Sequence, residues 1–273
     1  MASVADLEAL LAEQTDKTIA VVVYDLETGK EVCIQPDESF HPASTIKVHV
    51  MMEVFHQAGQ GRFSLEDHLP ILNSFTSIAD GSSFSLRQED DAEKTLYPRM
   101  GQAESIRELT RLMIVWSSNL ATNILMEKIG AGNVNDFIHL LGIPGIEVIR
   151  GIEDNIAFRR GMNNCATARG LTQTMTLIAA GKVVSPRACE QMIEILMGQE
   201  FNESIPALLP ASVRVAHKSG WTGEVYHDTG IVYTERHQPY VISIMTRGFA
   251  EDRGDEAHAC MARISKIVYD MLQ

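Results

Sequence analysis

Both ends of this 273-residue chain carry β-branched apolar runs, while the middle repeats its apolar residues at helical spacing. Few folds suit that arrangement. Near the start, Ile19 to Tyr24 is a β-branched run. Glu31 to Gln35 follows it after the turn-forming Asp25 to Lys30, and together they predict a β-hairpin. After Pro210 the strands return at Val213 to Ala216, Gly230 to Thr234 and Tyr240 to Thr246. Helices are predicted over Ala5 to Gln14 and Ala257 to Leu272, and centrally where Ile106, Leu109, Met113, Trp116 and Leu120 keep one face, as do Leu171, Met175 and Ile178. The physical solution is an α+β fold. An antiparallel sheet is built from both termini and flanked by helices, with a helical insertion between its halves. The expected division is a discontinuous sheet domain of residues 1–42 and 211–273, with an all-helical domain over 43–210.

Composition narrows the function by exclusion. A net charge of −13 argues against nucleic-acid binding that depends on neutralising phosphates. The clean apolar run Ile19 to Tyr24 is far shorter than the roughly 20 residues a membrane span needs. The N-terminus has Asp6, Glu8 and Glu13 but no basic region of the signal-peptide kind, so the chain as written reads as cytoplasmic, or as periplasmic or secreted if a leader was removed. Cys33, Cys165, Cys189 and Cys260 lack metal-ligand spacing and read as free, buried thiols. The acidic segment Gln88 to Glu93 reads as solvated surface rather than as a metal site.

Three short motifs carry chemistry. In Ser44-Thr-Ile-Lys47, behind Pro42, a helix start would set the lysine one turn from the serine. A serine hydroxyl needs a base to attack at neutral pH, and a desolvated lysine is one. Ser117-Ser-Asn119 offers a hydroxyl for proton relay and an amide for substrate, although Ser and Asn also favour plain helix caps. His217-Lys218-Ser219-Gly220, at the end of the strand Val213 to Ala216, offers a cation, a hydroxyl and a glycine that admits close backbone approach. Each motif is weak alone; S-x-x-K occurs about once by chance in a chain this long.

In this order, the three motifs resemble those of the serine β-lactamases and penicillin-binding proteins, class A in particular. Phe40 to Lys47, Ser117 to Leu125 and Ala166 to Leu171 look like class A segments, and the resemblance runs from about residue 18 to the C-terminus. It implies a β-lactamase/transpeptidase-like fold and an acyl-enzyme on Ser44. Lys47 would be the activating partner, Ser117 the proton shuttle, and Asn119 the binder of a substrate amide. Lys218 and Ser219 would anchor a carboxylate, the backbone N–H groups of Ser44 and Trp221 would form the oxyanion hole, and Asn123 would be structural. The implied reaction is opening of a β-lactam amide, without metal or organic cofactor, by a monomer acting on a small molecule.

Three positions depart from the pattern. Ser118 replaces the commonest Asp, and Ser219 replaces Thr. In the loop Arg150 to Phe158, Glu153 is the candidate deacylating base, but Ala157 stands where its partner Asn is expected. Without an effective base, Ser44 would acylate and release slowly, as in a penicillin-binding D-alanyl peptidase or esterase. A non-catalytic binding protein on the same fold is the remaining alternative. His227-Asp228 is read as structural or substrate-edge, since lysine-activated serine chemistry does not require it.

Overall fold

The computed structural model describes residues 2–235 and 237–273. Strands β1 (Thr18–Asp25) and β2 (Glu31–Ile34) form the expected hairpin. Helix α1 (Val4–Ala12) precedes them, begun by a capping box in which Ser3 and Asp6 satisfy each other's backbone N–H groups. Helices α2 (Lys47–Gly59), α3 (Ile106–Val115), α4 (Asn119–Ile129), α5 (Ala131–Leu140), α6 (Asn155–Arg159), α7 (Ala168–Ala179) and α8 (Pro186–Met197) fill the middle. Four short strands interrupt them. β3 (His68–Pro70) pairs with β6 (Ala103–Ser105), and β4 (Phe75–Thr76) pairs with β5 (Ser83–Phe84). Then β7 (Arg214–Thr222), β8 (Val225–Tyr233) and β9 (Tyr240–Arg247) lead into α9 (Gly254–Leu272).

The main sheet has the order β2-β1-β9-β8-β7, antiparallel throughout. Pairing of β1 with β9 joins the two ends of the chain. β1 reads as an unbroken apolar run because both of its faces are buried. Ile19, Val21 and Val23 face a core shared with Leu7 and Leu10 of α1 and Met261, Ile264 and Val268 of α9. Ala20 and Val22 face a larger core shared with the central helices. Within that core α7 lies against the sheet, where Thr172 donates to Ser243 Oγ at 2.8 Å.

α2 is buried nearly all round, from Lys47 to Phe55. Gln57 donates to the Ile129 carbonyl at 2.9 Å and His49 Nε2 lies 2.9 Å from Thr174 Oγ1, while His49 Nδ1 and Glu53 Oε2 have no partner among the described residues.

Three sequence readings need correction. The chain enters α2 through a 3-10 turn at Ala43–Ile46, so Ser44 precedes the α-helix proper. The apolar stripe from Ile106 to Leu120 is two helices, because Ser117 takes a left-handed φ of 57° between α3 and α4. β7 continues to Thr222, so Lys218, Ser219 and Gly220 lie inside a strand rather than at its end. All four cysteines are free, as expected, but only Cys189 and Cys260 are buried, and Cys33 is exposed. Among the described residues no helix is long and apolar enough to cross a membrane.

Gly170, in the first turn of α7, leaves no room for a side chain: a Cβ there would meet the Pro144 carbonyl oxygen at 2.3 Å and Ile146 at 2.8 Å. Gly170→Ala is expected to destabilise the fold by about 1–3 kcal/mol. Urea denaturation checks this; an unchanged midpoint refutes the packing assigned to α7.

Candidate active site

A cleft of about 620 Å³ opens where the 3-10 turn, the α3–α4 junction, the loop before α6 and β7 converge. Ser44, Asn119, Glu153 and Trp221 lie on its wall. The other expected residues sit behind that wall: Lys47 and Lys218 are wholly buried, Ser219 is 2% exposed and Ser117 6%.

β7 is an edge strand, and its free side meets the turn that carries Ser44. Gly220 makes the approach possible, since a Cβ there would lie 2.5 Å from Ser44 N and 2.9 Å from Thr45 N. Two backbone segments rich in N–H groups thus converge beside the half-buried Ser44 side chain. Ser219 Oγ, on the same strand, is buried without a hydrogen-bond partner among the described residues. An unpaired buried hydroxyl is costly unless a ligand completes it.

Lys47 Nζ donates to the Ser117 carbonyl at 2.6 Å, to Ser117 Oγ at 3.2 Å and to Asn119 Oδ1 at 2.8 Å. Its three hydrogen bonds therefore all go to the second motif. Burial lowers this amine to about 7, against the opposing pull of Asp91 and then Glu153. An amine at that value gives and takes a proton near neutrality. Lys218 Nζ donates to its neighbour's carbonyl, that of Ser219, at 2.8 Å. Burial, and then the charge of Lys47, hold it well below the ordinary lysine value, while Asp228 opposes.

Glu153 reaches the same network from the other side, with Oε1 accepting from Asn119 Nδ2 at 2.9 Å. Asn119 therefore spans the lysine with its oxygen and the carboxylate with its nitrogen. Burial pushes the Glu153 carboxyl above the usual range. Asp90 and Asp91 add to this, against the Asn119 hydrogen bond and the Lys47 charge. The amide expected four residues after Glu153 is absent, since Ala157 is there and buried. Asn119 supplies an amide from a different element.

The loop carrying Glu153 is pinned by side chains. Asn123 accepts from Ile152 N at 2.7 Å and donates to Ile152 O at 2.9 Å. Asn164 Oδ1 accepts from Ile149 N and Arg150 N at 2.7 and 3.0 Å. Asp154 accepts from Ser77 Oγ, Ile78 N and Ala157 N. Arg150 lines the cleft, with its guanidinium over Phe158, and forms no ion pair with Glu153.

His227 and Asp228 are structural here. His227 Nδ1 accepts from Thr246 N at 3.1 Å, so its Nε2–H donates to the His41 carbonyl at 2.8 Å and ties the segment before Ser44 to the sheet. Asp228 pairs with buried His217 at 2.9 Å and accepts from Ile205 N.

The acidic segment departs most from expectation. Gln88, Glu89 and Asp90 are exposed, but Asp91 and Glu93 are only 2% and 4% exposed. Asp91 points inward to the start of α4. No periodicity marks it, and Asp154, Asn164 and Arg150 were likewise missed as site-building residues. The one available signal was Asp154, a cap residue opening the short run of α6.

Fold and cleft together define the class: a serine hydrolase on the β-lactamase/transpeptidase scaffold. The chain belongs to the beta-lactamase enzyme family, whose model matches residues 2–272. It is 22% identical over 265 residues to the extended-spectrum beta-lactamase PER-1 of Pseudomonas aeruginosa, covering 92% of this chain and 82% of that protein. Among solved structures it is similar to a PBP-A mutant in an acyl-enzyme complex with penicillin G. That match has a TM-score of 0.82 and 26% identity, and covers 98% of this chain and 94% of the other. An ancestral class A beta-lactamase gives a TM-score of 0.84 at 21% identity, covering 98% and 100%.

The close approach of β7 to Ser44 is testable. Gly220→Ala is expected to push the strand away and to lower the rate of acyl transfer roughly a hundredfold, with a modest change in Tm. Single-turnover kinetics with an activated acyl substrate checks it, and a wild-type rate refutes the role given to that approach.

Proposed function

We propose that this protein opens β-lactam amides through an acyl-enzyme on Ser44. One observation carries the reading: a buried lysine lowered to about 7 is hydrogen-bonded to Ser117 and Asn119, one turn beyond a serine on the cleft wall. The neutral Lys47 amine takes the proton of Ser44 as Oγ attacks the lactam carbonyl carbon. The resulting oxyanion is held by the N–H groups of Ser44 and Trp221. The proton passes from Lys47 through Ser117 Oγ to the ring nitrogen, whose bond to the carbonyl carbon breaks. Lys218 and the unpartnered Ser219 hydroxyl anchor the substrate carboxylate, and Asn119 orients the side-chain amide.

Deacylation is given to Glu153. A carboxylate raised by burial is a stronger base than an exposed one, and it lies one amide away from Lys47. It takes a proton from water as the hydroxide adds to the ester carbonyl, and that proton returns to Ser44 Oγ as its bond to the carbonyl carbon breaks and the acid is released. The likeness to PBP-A in its penicillin complex keeps a slow-release reading in view, in which the same Ser44–Lys47 pair serves a penicillin-binding peptidase.

Intact-mass spectrometry over time, with penicillin G as probe, separates these readings. Wild type is expected to gain one penicilloyl mass and lose it, Ser44→Ala to gain none, and Glu153→Gln to retain the adduct. A wild-type adduct as long-lived as that of Glu153→Gln moves the assignment to slow release; no adduct at all removes the catalytic reading. The pH dependence has a definite sign. Lys47 must be neutral to accept a proton, so acylation is expected to be lost below, and to rise through, a limb near pH 7. Lys47→Arg, which stays charged, is expected to abolish it.

A further inference from the structure

Ser118 stands where the commonest family pattern has a carboxylate, yet the start of α4 is not short of one. Asp91 approaches from the loop after β5, with both oxygens 3.0 Å from Asn119 N and Oδ2 2.9 Å from Leu120 N. The next N–H, that of Ala121, goes to Ser118 Oγ at 3.1 Å, and that of Thr122 to the Ser118 carbonyl at 3.2 Å. The orphan donors of the helix are thereby all satisfied, two of them by a side chain distant in sequence. Asp91 is itself locked by Tyr97, whose hydroxyl donates to Oδ2 at 3.0 Å, and by Glu93 N. Burial and the Asp91 charge push the Tyr97 phenol up, so it remains a donor.

Asn119 is the first residue of α4, so whatever fixes its backbone also aims its side chain. We propose that Asp91 is a positioning residue of the site, holding the start of α4 so that the Asn119 amide stays between the Lys47 amine and the Glu153 carboxylate. The assignment deepens the acyl-transfer reading and rests on it for its kinetic consequence. The charge of Asp91 also acts on Lys47 directly. Other charges facing Lys47 are Glu153 from the loop before α6 and Lys218 from β7, with Asp228 behind Lys218. Glu93 and Tyr97 face Asp91, and Asp90 faces Glu153.

Two substitutions give opposite signs. Asp91→Asn removes a negative charge that favours the protonated lysine, so the Lys47 midpoint is expected to fall. It also sets an amide against the donors of α4, so the acylation plateau is expected to drop roughly tenfold. Tyr97→Phe keeps the carboxylate but removes a hydrogen bond that disperses its charge, so the Lys47 midpoint is expected to rise. Glu89→Gln, exposed on the same loop, is expected to change neither.

The Lys47 midpoint is read by 13Cε NMR titration, assigned with Lys47→Arg, and the acylation limb by intact mass with penicillin G across pH. A Lys47 midpoint and plateau unchanged in both variants overturn the proposal, as does a shift of the same sign in both. If the midpoints move as stated but wild type forms no adduct, the acyl-transfer reading fails while the hold of Asp91 on the lysine stands. Loss of Tm in Asp91→Asn alone is what a purely structural cap gives; the opposite shift in Tyr97→Phe is what it does not.

Discussion

Much of this site depends on keeping one ammonium group out of water without pairing it to an adjacent carboxylate. Lys47 is enclosed by α2, the α3–α4 junction and β7, and its immediate partners are a carbonyl, a hydroxyl and an amide oxygen. Neutral dipoles compensate part of the desolvation, and the remainder appears as a lowered proton affinity. A direct Lys–Asp bridge in this position would restore the charge and remove the base proposed for Ser44. Asp91 and Glu153 instead bond to the Asn119 backbone and side chain, and from there their charges moderate the shift without abolishing it. Lys218 pushes the other way, as a second buried lysine whose charge and that of Lys47 disfavour each other.

That balance explains why so many buried polar groups surround the cleft. Three pieces bearing or adjoining candidate site residues are each fixed by a side chain from another element. Asn123 holds the loop of Glu153, Asp91 holds α4, and His227 holds the segment before Ser44. Apolar packing alone would allow these pieces small slides, whereas directional bonds limit them. Catalytic geometry tolerates little such play.

Elements built from periodic apolar residues were legible in the sequence: the β1–β2 hairpin, β9 and α9, but of β8 (Val225–Tyr233) only the end from Gly230 was read. Motif residues were also legible, since Ser44, Lys47, Ser117, Asn119 and Glu153 do converge. Tertiary use of polar residues was not. Asp91 lies in a run of acids whose local composition says surface, and only a helix start 28 residues later makes it core. The helix junction at Ser117-Ser-Asn119 was legible from its cap residues, but its left-handed φ and the 3-10 turn at Ser44 were not. Both are local backbone conformations that apolar spacing does not record.

Three left-handed non-glycine residues gather at the cleft, while Gln35 and Val184 share that conformation away from it. Ala43, Ser117 and Glu153 all have φ between 47° and 61°, a region that favours glycine, and each is a site residue or adjoins one. Conformations of this kind carry strain of order 1–3 kcal/mol each and persist only where the surroundings over-determine them. At Ser117 the surroundings are Lys47, which takes the carbonyl and hydroxyl of the turned residue. At Ala43 the neighbours are β7, packed on the turn through Gly220, and His41, whose Nδ1 accepts from Ala43 N. At Glu153 they are Asn119 on the side chain and Asn123 on the preceding peptide. The hydrogen bonds that link the candidate site residues are thus among those that hold the strained turns. Lys47 therefore does two jobs: its burial lowers its own proton affinity, and its hydrogen bonds hold the turn at Ser117.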